Sequence, residues 1–195
     1  MKRIGFLHEQ IVSEENCRLA IINAAKHKKK RRNVQKVMAN LDFYAKDLSE
    51  RLVRLDFTSS YRTRIIKDGL SGKERELQIP AFYPDQCAHH AIVQVLQPLI
   101  MKSSYYWSCA NIPNRGIDRA AKGVERATMR DIKHAKYCVK MDIHKFYPSI
   151  PHDKLKEHLQ RKIKDKKALG IIHVVIDSYH STPGHGIPIG NYTSP

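Results

Sequence analysis

"KMDIHKFYPSI", residues 140–150, decides how the rest of the chain is read. A β-prone run, Tyr137-Cys138-Val139-Lys140-Met141, stops on one carboxylate, Asp142. Phe146-Tyr147 and then Pro148-Ser149 follow. In a strand, Tyr137, Val139 and Met141 would share one face, and Cys138, Lys140 and Asp142 the other. One acid at a strand end, with two rings behind it, stands out in a chain of net charge +16.

The surrounding composition sets the class. The 195 residues are enough for one domain or a domain and a half, and 42% hydrophobic residues can bury a core. The 35 Lys and Arg against 19 Asp and Glu favour a polyanionic partner, most often nucleic acid. No apolar run approaches the ~20 residues that span a bilayer. After Met1-Lys2-Arg3, the apolar stretch Ile4 to Leu7 is too short for a signal peptide. No long basic amphipathic helix carries Trp, Phe or Leu opposite its charge. A soluble, cytoplasmic protein without a membrane partner is therefore expected. Cys17, Cys87, Cys109 and Cys138 form no C-x-x-C pair, so reduced, mostly buried thiols are expected rather than zinc or disulfides. His89-His90 lies in a helical pattern, where neighbours point about 100° apart and chelate one metal poorly.

Local patterns supply the elements. Ser13 can cap a helix with Glu14 and Glu15 in its first turn and Leu19 and Ile22 as its apolar stripe. That helix runs into Lys26-His27-Lys28-Lys29-Lys30-Arg31-Arg32, which repels itself unless a polyanion is near. Lys28, Lys29, Lys30, Arg31 and Arg32 are thus candidate phosphate contacts, with a solvated segment or a nuclear localisation signal as the other readings. Residues 34–56 read as one helix with Val34, Met38, Leu41, Leu48, Leu52 and Leu55 inside. "YRTRIIK" and "KERELQIP" read as a hairpin around "DGLSG", with Asp68-Gly69 and Gly72 in the turn. Pro84 opens a helix expected to end near Pro98. Residues 104–117 are aromatic and turn-rich, and a further helix runs from about Asp118 to His134. Asp153 can cap a helix carrying Leu155, Leu159 and Ile163, and residues 169–179 read as a buried helix. The chain ends in "GHGIPIGNYTSP".

Template-directed phosphoryl transfer needs two divalent ions about 4 Å apart, clamped by carboxylates. Mg2+ is hard and takes oxygen ligands, so Asp suits it. A ring just beyond the acid can lie against a nucleotide sugar, a basic hairpin can fold over a triphosphate, and a Gly/Pro loop lets backbone approach a base pair closely.

Several segments, in order, resemble reverse transcriptases. "KMDIHKFYPSI" looks like the first catalytic motif of that family, and "GIPIGNYTSP" like its Gly-x-Pro-x-Gly…Ser-Pro loop. "GKERELQIPAFYPDQCAHHAIVQVLQPLI" resembles the fingers segment, and "CANIPNRGIDRA" the stretch joining fingers to palm. The resemblance covers about Arg62 to Pro195 and is closest to the bacterial retroelement type, group II intron and diversity-generating retroelement polymerases. It implies an α+β fold, polymerase fingers and a partial palm, mostly helical with a small antiparallel sheet. The divisions would be 1–60, an N-terminal basic helical extension; 61–136, fingers; and 137–195, partial palm.

The same resemblance implies roles. Asp142 would bind catalytic Mg2+, or Mn2+ in its place, with the Ile143 carbonyl helping. Phe146 would gate the sugar, with Tyr147 beside it. The backbone of Lys145 and Phe146 and the side chains of Lys67 and Arg75 would hold the triphosphate of a dNTP. Pro188, Ile189 and Gly190 would line the nascent base pair, and the partners would be an RNA template and a DNA primer. Taken singly, each residue has a structural alternative. Asp142 could cap a turn, Phe146 and Tyr147 could be core rings, Lys67 and Arg75 solvated hairpin charges, and Gly186 and Gly190 turn glycines.

Two departures from the family pattern matter. Ile189 stands where many members carry Gln and cannot hydrogen-bond the nucleotide sugar, which implies looser base selection. The family's aromatic-x-Asp-Asp hairpin, source of the second metal-binding carboxylate, and its thumb would follow Pro195. The expectation is that these 195 residues alone do not polymerise. A second polypeptide could complete the palm. The alternative is a non-catalytic RNA-binding protein or a decayed polymerase.

Overall fold

The computed structural model describes residues 3–58, 61–67, 72, 74–133 and 135–194. The fold is α+β, mostly helical, with one small antiparallel sheet among the described residues. The chain forms two compact units, one of residues 1–96 with 145–194 and one of residues 97–144. These units cut across the three stretches read from the sequence.

In the first unit, Ser13 caps α2 (Glu14–Ala24) by accepting the Asn16 N–H, as its position predicts. The buried stripe is Cys17, Ala20, Ile21 and Ala24, not Leu19 and Ile22, which are exposed. At 100° per residue, Leu19 and Ile22 point away from that stripe, and the small residues inside let α2 pack closely on α4 (Leu41–Arg54). The single helix expected over 34–56 is two. α3 (Arg32–Ala39) stops at Asn40, whose ψ of 48° is not helical, and α4 begins at once. Asn competes with helical backbone through its own side chain, which makes it a natural break. Val34, Val37, Ala45, Leu48 and Leu52 are buried. Leu55, expected inside, is the left-handed residue (φ 60°) just beyond α4 and is exposed, while Asp56 N–H closes the helix end on the Arg51 carbonyl.

The chain start is tied to α9 (Lys166–Asp177) by α1 (His8–Val12) and one carboxylate. Asp165 Oδ2 accepts the N–H groups of Leu7 and His8, both at 2.9 Å, and Oδ1 accepts those of Lys167 and Ala168. Burial pushes this carboxyl up, but the four backbone donors outweigh it and hold it below the usual carboxylate range. α9 is the buried helix expected near 169–179, with Ala168, Leu169, Ile171, Ile172, Val175 and Ile176 inside.

The hairpin forms as read: β1 (Arg62–Lys67) pairs antiparallel with β2 (Glu74–Ile79), Arg62 opposite Ile79 and Lys67 opposite Glu74. Of its turn, Gly72 is left-handed (φ 62°) and Asp68-Gly69 lies outside the described residues. α5 (Cys87–Ser103) passes through Pro98 rather than ending there. A helical proline forfeits one rung and bends the helix without having to stop it. α8 (His152–Lys162) starts at Pro151, so Asp153 sits in the first turn and complements the helix dipole without capping it. No described helix is long and apolar enough to cross a membrane. The four cysteines are free; Cys17 and Cys87 are buried, Cys109 is half-buried and Cys138 is exposed.

In the second unit, α6 (Ile117–Arg130) follows the turn-rich aromatic stretch. Residues 137–141 are not a strand. Tyr137, Val139 and Met141 are 93%, 79% and 87% exposed, and no described residue pairs with this backbone. A strand is held by its neighbour's hydrogen bonds, and alternating side chains cannot replace them. The small palm sheet inferred from this run is therefore not formed by the described residues.

Candidate functional site

Most of the inferred nucleotide-facing residues converge in the first unit, around the loop of residues 181–194. Lys145 (φ 49°) turns the chain into α7 (Phe146–Ser149). Phe146 is 47% exposed and meets Tyr147 edge to face, with centroids 5.4 Å apart. The Tyr147 carbonyl accepts the Ile187 N–H at 3.0 Å, the Ile150 carbonyl accepts the Gly186 N–H at 2.8 Å, and the Pro148 carbonyl accepts the Ser181 hydroxyl at 2.6 Å. The aromatic pair and the Gly/Pro loop are thus one assembly, although some forty residues separate them in sequence.

The loop in turn rests on the hairpin. A Cβ at Gly190 would lie 2.1 Å from the Gln78 carbonyl oxygen, so only glycine allows this approach. Asn191 Nδ2 donates to the Tyr61 hydroxyl at 2.9 Å, Tyr61 donates to Ser178 Oγ at 2.7 Å, and Ser178 donates to the Val175 carbonyl. Tyr192 stacks on His90 of α5, with centroids 3.8 Å apart. Pro188 is buried and its carbonyl accepts the Ser194 hydroxyl, whereas Ile189 is 38% exposed. Gly190 meets β2 three residues along from Arg75, about 10 Å of strand. Lys67 pairs with Glu74 across the hairpin at 3.6 Å, and Arg75 lies in β2 opposite Ile66.

The residues that brace the loop were not apparent in the sequence. His152 is buried; its Nε2 lies 2.7 Å from the Gly186 carbonyl oxygen and its Nδ1 3.3 Å from Asp177 Oδ1. Lys156 Nζ binds the other Asp177 oxygen at 2.6 Å. Burial raises the Asp177 carboxyl, but Lys156 and His152 together hold it below its ordinary range. His152 and Ser181 follow no periodicity, so no local signal marks them. Asn191 and Tyr192 lie inside the quoted loop motif, beside the residues that the family pattern singles out.

The basic run is not uniform. Residues 26–31 form the turn between α2 and α3, where Lys28 reaches Gln86 Oε1 at 2.6 Å and is half-buried. Burial and then Arg31 pull its ammonium below the usual lysine range. Lys29, Lys30, Arg31 and Arg32 stay exposed. Next to this run, both His89 ring nitrogens are buried without a hydrogen-bond partner among the described residues. Burial, with a lesser push from His90, lowers the His89 imidazole to about 4. His90 is also pushed down to about 4 by burial, then by Lys28 and Lys26.

The sign of the pH effect follows from these shifts. The folded values lie below the unfolded one, so the unfolded chain binds more protons, and stability present above about pH 6.5 is lost as pH falls toward 4. Burial of His89 alone makes this a loss of roughly 2–3 kcal/mol. His89→Leu is expected to leave stability at pH 7 unchanged or improved and to flatten the acid loss. Urea midpoints at pH 7 and 4.5 check it, and a parent chain equally stable at both pH values would refute it.

Asp142 and Ile143 belong to the second unit. Both are exposed, and Asp142 Oδ1 accepts the N–H of the next residue, Ile143, at 3.0 Å. The carboxylate and the Ile143 carbonyl are hard oxygen donors of the kind Mg2+ takes. Among the described residues, however, no group of three His, Cys, Asp or Glu could hold a metal ion. One carboxylate does not make a two-ion clamp, and no metal-assisted step is assigned to these residues alone. No protein-family model matches the chain, and no curated protein matches it.

Proposed function

We propose that the chain is the fingers and first half of the palm of an RNA-directed DNA polymerase, which extends a DNA primer on an RNA template. The observation that carries this reading is the seating of the Gly/Pro loop. It ties Phe146-Tyr147 through Ile187 and lays Gly190 on the Gln78 carbonyl of a basic hairpin. A primer–template end needs those elements side by side: a half-exposed ring for the sugar, flat backbone at the base pair, and cations farther along the hairpin. The exposed Ile189 offers the incoming nucleotide contact without a hydrogen bond, which favours relaxed base selection.

In this proposal Asp142 is the first metal-binding carboxylate. Bound Mg2+ or Mn2+ would supply charge stabilisation at the transferring phosphate. The second carboxylate would come from sequence outside these residues, in the same polypeptide or a partner completing the palm. The test is primer extension with an RNA template, DNA primer and dNTPs. A product extended past Pro195 and carrying an aromatic-x-Asp-Asp is expected to incorporate nucleotides in template order, and residues 1–195 alone are not. An extended product that binds RNA and incorporates nothing would instead favour a non-catalytic RNA-binding protein. That second reading draws on the lack, among the described residues, of any group of three His, Cys, Asp or Glu that could hold a metal ion.

A further inference from the structure

The second unit contains a cleft built partly on the "CANIPNRGIDRA" stretch, for which the resemblance implies no ligand contact. It encloses about 540 Å³ between the Tyr106–Trp107 corner and one face of α6. Four cations line it, Arg115, Arg119, Lys122 and Arg126, against one acid, Asp118. Two of the cations build the wall. Arg115 Nη1 donates to the Tyr105 and Ser108 carbonyls at 2.9 and 3.4 Å. Arg119 lies over the Tyr106 ring, 4.3 Å from its centroid, and Nη2 donates to the Tyr106 carbonyl. The other two, Lys122 and Arg126, are one turn apart, exposed, and in no ion pair among the described residues.

The indole is held in place. Trp107 sits on Gly123 so closely that a Cβ there would lie 2.4 Å from Cζ3, and Tyr106 meets it edge to face at 4.8 Å. Yet 40% of Trp107 remains exposed. A fixed, partly bare indole beside two unpaired cations pairs a stacking surface with phosphate hooks. Single-stranded nucleic acid asks for that combination, because every base has a π-face and every linkage a charge.

We propose that this cleft binds single-stranded nucleic acid, with one base stacked on Trp107 and flanking phosphates held by Lys122 and Arg126. The inference rests on the nucleic-acid reading above but assigns a site apart from the loop and hairpin. Trp107 is the one tryptophan in the chain, so its fluorescence reports on the cleft alone. The experiment titrates the 195-residue chain with a uridine 12-mer RNA, following Trp107 emission and the anisotropy of labelled RNA together. Saturable quenching that tracks the anisotropy curve is expected. Trp107→Ala is expected to weaken binding about tenfold. Lys122→Ala with Arg126→Ala is expected to weaken it further and to lower the slope of log affinity against log salt by about 1.4. Both of these residues are exposed, so the double variant should fold, and its circular dichroism checks that. RNA binding with unchanged Trp107 emission and unchanged affinity in the double variant would overturn the cleft assignment while the nucleic-acid reading stands. No RNA binding by the parent at low salt would overturn both.

Discussion

Asp142→Asn, in the proposed polymerase completed by a second carboxylate, is expected to abolish primer extension, with a loss of about a thousandfold or more. The reason is charge rather than shape. Asn is nearly the size of Asp, and its carbonyl oxygen can still accept the Ile143 N–H that Asp142 accepts at 3.0 Å. The side chain is exposed, so folding stability should change by no more than about 0.5 kcal/mol. What disappears is the anionic oxygen set that a divalent ion needs, and with it the several kcal/mol that metal assistance contributes to the barrier. RNA affinity should be unchanged or slightly higher, because a repulsive charge has gone. Three readouts on one preparation check this: primer extension, RNA anisotropy and thermal unfolding. Extension within tenfold of the parent, with folding intact, would show that Asp142 is no metal ligand, and the proposed polymerase would lose its catalytic acid.

The second large effect concerns Gly190. Gly190→Ala is expected to destabilise the first unit by about 4 kcal/mol and to eliminate primer extension in the proposed polymerase. The added methyl would lie 2.1 Å from Gln78 O and 3.0 Å from Gln78 C. These are backbone atoms of a paired strand, so no side chain can swing aside. Either the loop lifts, breaking the Asn191–Tyr61 hydrogen bond and the Tyr192–His90 stack, or β2 leaves its ladder. Both exceed the ordinary cost of overpacking. Gly184→Ala is the control. Gly184 has φ +74° but nothing within 4 Å of an added Cβ, so about 1 kcal/mol of backbone strain is expected there. Urea midpoints of the two variants separate contact from conformation. Equal midpoints would mean that the loop does not rest on the hairpin.

Much of the architecture is local and was legible. The Ser13 cap, the hairpin of 62–79 and the buried helix of 166–177 follow from side-chain chemistry within a few residues of each other. The segments that form the loop site were also legible, because each carries its own Gly, Pro or aromatic signature. Three of the readings that failed did so where a local pattern had more than one solution. Leu19 and Ile22 are apolar at helical spacing, but the tighter stripe of small residues won the interface with α4. Pro98 lies inside α5 without ending it. Residues 137–141 alternate like a strand, yet strand formation depends on a neighbour and none of the described residues supplies one.

The sequence by itself determined the charge, the buried stripe of α9, the hairpin and the identity of the residues inferred to meet a nucleotide. Those depend on composition and on periods of two and 3.6 residues, which any short window contains. Only the tertiary structure decided that Gly190 lies on the Gln78 carbonyl, that His152 and Asp177 brace the loop, and that Trp107 is seated on Gly123 in the cleft that Lys122 and Arg126 line. Each joins residues 16 to more than 100 positions apart, through backbone approach or burial. Such contacts arise from packing, which no local pattern encodes.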